Sequence, residues 1–134
     1  MDTELLELRT GSNRAVVDLT SQVAAFVAGK GDGILQVFCP HATAGVALIE
    51  TGAGSDIDLL DIIDRVLPPD FRYRHQHGSP GHGADHVLPA FIAPSITIPV
   101  LDGRMQLGTW QSVVLVDPNR DNPHRQVRLC FLAG

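Results

Sequence analysis

Ser95-Ile-Thr-Ile-Pro-Val-Leu-Asp102-Gly103-Arg-Met-Gln-Leu-Gly108-Thr-Trp110-Gln111-Ser-Val-Val-Leu-Val116 is the stretch on which the fold turns. It holds three β-rich apolar runs, Ser95 to Val100, Met105 to Gly108 and Ser112 to Val116. Asp-Gly between the first two is among the stronger hairpin signals, so these strands should run antiparallel. After a polar loop a fourth run, Gln126 to Leu132, reads as a strand as well. Trp110, the only tryptophan, lies between two of these runs and predicts a core anchor whose N–H finds a partner. Gly108 and Thr109 would shape a bend or bulge beside it.

Upstream, Ile34 to Cys39 is a short apolar run bounded by Gly33 and Pro40. Gly45 to Ile49 follows after the polar break His41-Ala-Thr43, and both runs read as core strands. The partly alternating segment Thr3 to Thr10, ending at Gly11, predicts an early strand. From Asp18 to Ala28, Leu19, Val23, Phe26 and Val27 recur at helical spacing, with Asp18 or Thr20 available as N-cap and Gly29 just past the end. A second helix should begin at Ser55 and stop before Pro68 and Pro69, burying Ile57, Leu60, Ile63 and Leu67. Residues 70 to 85 lack apolar periodicity, and a short helix from about Ala84 to Phe91 should follow them. Strands interspersed with two or three helices, without βαβ alternation, favour an α+β single domain with a central mixed or antiparallel sheet.

The length of 134 residues, with 44% apolar and 19% charged, suits one globular domain with a real core. A net charge of −5 and a single lysine, Lys30, argue against a nucleic-acid partner, which needs clustered positive charge. No stretch approaches the roughly 20 apolar residues that span a bilayer, so no membrane partner is expected. Acidic residues among the leucines from Met1 to Leu8 predict no signal peptide. Cys39 and Cys130 each sit in an apolar run and read as buried free thiols, which predicts a cytoplasmic protein.

Six histidines, four of them between His75 and His86, are the most unusual local feature. Imidazole is the commonest metal ligand, but on composition alone His75-x-His77 and His82-x-x-x-His86 suit a solvated His-rich loop better than a metal site. His41 stands at a strand end among small residues, where it either faces a cleft or bonds to backbone. Glu50 ends the next apolar run, so if the two strands pair, His41 and Glu50 either converge on one rim or lie at opposite ends. Arg104, Arg120, Arg125 and Arg128 give the C-terminal third its positive charge, and guanidinium groups suit phosphate or carboxylate.

His41-Ala-Thr43, Glu50, Tyr73-Arg-His75, Asp85-His86 and Gly103-Arg-Met-Gln-Leu-Gly108-Thr-Trp-Gln111 together resemble the YjbQ-like family. The likeness covers nearly the whole chain in order, and the Gly-Thr-Trp-Gln segment is its most specific part. One departure is Ile49, where the family commonly has Asn before the glutamate. The resemblance implies a homotrimer with sites near subunit boundaries, and a weak side activity as a thiamine-phosphate synthase, which joins a hydroxymethyl-pyrimidine pyrophosphate to a thiazole phosphate and expels pyrophosphate. On this basis His41, His75 and His86 are the expected ligands of a divalent metal, zinc, nickel or magnesium. Glu50 and His41 are the expected catalytic groups, and Thr43, Arg104 and Arg125 the expected contacts to a phosphorylated small-molecule ligand. A trimeric metal-binding protein without turnover and a metal-dependent hydrolase of a phosphorylated small molecule are the alternatives.

Overall fold

The computed structural model describes all residues, 1–134. Its first half runs β1 (Asp2–Arg9), β2 (Ala15–Asp18), α1 (Thr20–Val27), β3 (Gly33–Phe38), β4 (Gly45–Ile49) and α2 (Ser55–Val66). The second half runs α3 (His82–Val87), a 3-10 turn at Leu88–Ala90, β5 (Ser95–Leu101), β6 (Arg104–Met105), β7 (Ser112–Asp117) and β8 (His124–Ala133). The strands form two antiparallel sheets, one in the order β1-β8-β3-β5-β6 and one in the order β2-β7-β4. No helix is long and apolar enough to cross a membrane.

The hairpin forms where Asp102 and Gly103 place it, with φ of 49° and 67°, the pair of positive values that a type I′ turn needs. β3 and β5 alternate as half-buried strands should: Leu35 and Val37 point inward beside Ile98 and Val100, while Ile34 and Phe38 face out. β7 does not alternate, because it is covered on both sides. Its Val113 and Leu115 join the main core, where residues of both sheets meet Val23, Phe26 and Val27 of α1. Its Val114 and Val116 join a second cluster with Ile63 and Leu67 of the α2 region, Ala84 of α3 and Leu88. Each such Val, Leu, Ile or Phe side chain contributes about 1.5–3 kcal/mol relative to exposure.

Several expectations change: Cys130 is only partly buried, and of the run Met105 to Gly108 only Met105, with Arg104 before it, pairs as a strand. Trp110 is 72% exposed rather than a core anchor. The turn it stands on closes without it, because the Gly108 N–H donates to the Gln111 side chain at 2.8 Å and the Gln111 N–H donates back to the Gly108 carbonyl at 3.0 Å. Ile57 is 64% exposed, so the buried stripe of α2 is confined to its second half, Ile63 and Leu67, with Leu59 and Leu60 partly covered. Asp18 closes β2 instead of opening α1, although its carboxylate still accepts the Thr20 N–H at 2.9 Å.

Candidate metal centre

A short helix and the segment beside it assemble four histidines. His82 and His86 lie four residues apart on α3, which places their rings on one face a turn apart. The 73–77 segment passes close enough that a Cβ on Gly83 would lie 2.6 Å from the Tyr73 Cβ and 2.8 Å from the His75 carbonyl oxygen. Only glycine admits that approach, and it sets His75 and His77 against the helix. The ligand atoms of His75, His77, His82 and His86 all lie within 4.8 Å of one another.

Around zinc, with bonds of about 2.1 Å, tetrahedral ligands stand roughly 3.4 Å apart. The cluster is therefore slightly open, and the Nε2 atoms of His82 and His86 are already 3.0 Å apart. The chemistry of the donor set fits an ion as well as the spacing does. Partial desolvation and the neighbouring His77 and His82 hold His75 below the ordinary imidazole value. Burial, then His75, His82 and His77, do the same to His86. Crowded imidazoles resist protonation, and the neutral ring is the form that binds metal. Two carboxylates back the cluster: Asp121 Oδ2 is 3.2 Å and Asp85 Oδ2 is 3.5 Å from His82 Nδ1. Burial raises Asp85 to about 6 against the pull of His82 and Arg14, and the Ser79 backbone N–H lowers Asp121.

Of the residues expected from sequence, His75 and His86 come together here, joined by His77 and His82. The other expected residues lie elsewhere in the chain. His41 follows β3, and its Nε2 accepts the Gln126 backbone N–H at 2.9 Å, the backbone-bonded alternative rather than the open one. Glu50 is exposed beyond β4, and because β3 and β4 belong to different sheets the two strands share no rim. Arg104 is 81% exposed and only 3.9 Å from Asp102. Ile49, at the position of the family's usual Asn, packs on the second core cluster.

Thr43 and Arg125 belong to a buried polar network. Arg125, 1% exposed, donates from Nη2 to Asp117 Oδ1 at 3.0 Å, with its Nε 2.9 Å from Oδ2 in a bent contact. The guanidinium is thus engaged by Asp117 and, through Nη1, by the His124 carbonyl at 2.9 Å. Asp117 also accepts the Asn119 N–H at 3.2 Å, and the Asn119 side chain donates to Thr43 Oγ1 at 3.1 Å. Cys39 borders this network, fully buried, and burial pushes its thiol up to about 11. Of the two free thiols, Cys39 should therefore stay silent towards a thiol reagent until the protein unfolds, and mass mapping that finds it labelled in the native state would contradict its burial.

Burial and the Arg125 charge also lower the His41 value, against the pull of Asp117. Protonating Nε2 would destroy the bond from Gln126, so the folded state prefers the neutral ring. Above the ordinary value of 6.5 the preference changes nothing; as pH falls through 6.5 the unfolded chain takes up the proton first, and stability declines. Metal-free wild type should lose thermal stability on that acid side more steeply than His41→Gln, and parallel curves would remove His41 from the account.

The sequence assigns His77 and His82 to a flexible loop rather than to the ligand set, because the four-residue spacing to His86 carries meaning only once the helix includes His82, and here both join the cluster. The model of the family described as UPF0047 protein YjbQ-like matches residues 4–134. UPF0047 protein Rv2556c of Mycobacterium tuberculosis is 63% identical over 134 residues, covering 100% of both chains. A crystal structure of a YbjQ-like protein from Sulfolobus solfataricus P2 superposes with a TM-score of 0.91 at 25% identity, over 99% of this chain and 97% of that one. A protein of Aeropyrum pernix K1 does so at 0.88 and 31% identity, over 100% of both. With the match running from residue 4 to the last, and with every histidine of the cluster inside it, the chain belongs to the YjbQ-like, UPF0047 family.

Proposed function

We propose that this chain is a divalent-metal-binding protein whose centre is His75, His77, His82 and His86, and that it acts on a phosphorylated small molecule. The observation that carries the metal is the convergence of four imidazole ligand atoms within 4.8 Å. An all-nitrogen set favours zinc or nickel, while magnesium prefers oxygen ligands and retained waters. A bound ion of this kind supplies a Lewis acid for a phosphoryl or carbonyl oxygen. Arg72 lines the same cleft of about 320 Å³ as His75, His77 and His82, which supports a phosphate-bearing ligand beside the ion.

The pyrophosphate-releasing transfer of a thiamine-phosphate synthase asks for this combination, a metal and a guanidinium that stabilise a departing polyanion. Its choice of pyrimidine and thiazole rests on the family resemblance. His41, Glu50 and Arg104 lie outside the cluster of their own chain, so any part they take there comes from a second copy. Assembly as a homotrimer is supported by an apolar row on the outer face of the five-stranded sheet. There Leu132 and Pro99 flank Ile34 in register, Leu132 at 60% and Ile34 at 45% exposure.

The test is direct. Tag-free protein titrated with zinc, nickel and magnesium should bind the first two and not the third, and light scattering should give three copies. A screen of phosphorylated metabolites should then show turnover that His86→Ala abolishes. Metal binding without turnover would leave the non-catalytic alternative, and no binding of any of the three ions would defeat the metal centre.

A further inference from the structure

We infer that Asp121, backed by Asp85, is the positioning residue of the histidine cluster: the two carboxylates fix the proton of His82 on Nδ1 and so aim its Nε2 lone pair at the ion. The inference rests on the metal reading above and adds to it the residues that hold one ligand in its binding form. His82 is the buried member of the cluster, its side chain only 7% exposed, and its Nδ1 has no aligned hydrogen-bond partner. Both groups facing that nitrogen, Asp121 at 3.2 Å and Asp85 at 3.5 Å, are carboxylates, which accept and do not donate when ionised. A neutral ring facing two carboxylate charges is favoured with its proton on Nδ1, by electrostatic attraction across 3.2 and 3.5 Å rather than by an aligned bond. Its Nε2 then presents a lone pair, and in the metal-free protein the donor across the 3.0 Å gap is Nε2–H of His86. An ion needs both lone pairs, so His86 moves its proton to Nδ1 on binding, whereas His82 is already prepared. Carboxylates behind ligating imidazoles commonly act in this way.

Asp121 is itself held in place. Its carboxylate accepts the Ser79 N–H at 2.9 Å, and its own N–H donates to Asn119 Oδ1 at 2.9 Å. Gly78, at φ +74°, makes room, since a Cβ there would lie 2.5 Å from Asp121 Oδ2 and 2.9 Å from the His82 ring. Asn119 is anchored in turn by Asp117 and Thr43, and Asp117 by Arg125. The buried network, which touches none of the four ligands, acquires a function in this way: it sets the loop that carries Asp121.

The experiment uses two readouts on the whole protein without a tag. Long-range proton–nitrogen correlation spectra of the metal-free protein report which nitrogen of each imidazole is protonated, and competition with a chromophoric chelator reports zinc affinity. Wild type should show His82 as the Nδ1–H tautomer and His86 as the Nε2–H tautomer. Asp121→Asn, which keeps the shape and an acceptor for Ser79, should admit the other His82 tautomer and weaken zinc by about tenfold; adding Asp85→Asn should extend the loss towards 100-fold. A wild-type His82 protonated on Nε2, or on both nitrogens, overturns the inference, as does a double variant with unchanged tautomer and affinity. Weaker zinc with an unchanged His82 tautomer would mean that the loop matters only structurally, which also overturns it. Should wild type bind no zinc, the metal reading fails while the tautomers still decide the positioning.

Discussion

Zinc affinity should fall by about 100-fold when any one of His75, His77, His82 or His86 is replaced by alanine. Four-ligand structural zinc sites in small peptides bind with roughly 10–16 kcal/mol at neutral pH, so one ligand in four carries about 3 kcal/mol, and each 1.4 kcal/mol is tenfold. The same variants should lose the stabilisation that zinc gives the wild type. At a free concentration of ~100 times the dissociation constant that is about 2.7 kcal/mol. For a domain of this size it raises the unfolding midpoint by roughly 8–10 °C. Because the cluster joins α3 to the 73–77 segment, the ion should also protect the amides of that segment from hydrogen exchange. His41→Ala is the informative control. With its Nε2 engaged by Gln126, His41 should leave zinc affinity within about twofold of wild type. A loss equal to that of His86→Ala would show instead that His41 reaches the ion from a neighbouring copy.

How much of this was open to a reader of the sequence follows from the range of the contacts. β4 appears over the residues that its apolar run predicts, and α2 starts at Ser55, because both are punctuated locally by glycine, serine and proline. β2 was missed because four residues, Ala15–Asp18, are too short for a period and end in an aspartate that reads as a helix cap. That the strands divide into two sheets depends on pairings such as β1 with β8, whose register joins Asp2 to Phe131, and no local pattern encodes a contact across the length of the chain. The site divides along the same line. His75 and His86 stand in recognisable spacings, whereas the part played by His82 depends on where α3 begins and on Asp121, which approaches from the loop before β8. The burial of Arg125 was equally hidden, since an arginine in a strand reads as a surface or binding group until its partner Asp117 is seen on the adjoining end of β7.

That pair yields the second large effect. Arg125→Met should lower the unfolding midpoint by about 10–20 °C, because the Asp117 carboxyl, at 0% exposure, would be left buried with only the Asn119 N–H to answer it. Removing one partner of a buried ion pair costs about 3–5 kcal/mol, and in a domain of this length each kcal/mol is worth roughly 3–4 °C. Thermal unfolding followed by circular dichroism measures it, and a midpoint within a degree or two of wild type would show that the pair does not hold the two strand ends together. The double variant Arg125→Met/Asp117→Leu separates charge from architecture. Apolar side chains of similar volume should recover most of the lost stability, since a buried pair contributes little beyond what it costs to desolvate. They cannot restore the acceptor for the Asn119 N–H, so the turn that presents Asp121 to His82 should stay loose. The double variant is therefore expected to melt near the wild-type temperature and still bind zinc more weakly, a combination that assigns the buried arginine to placing the site's loop rather than to stability alone.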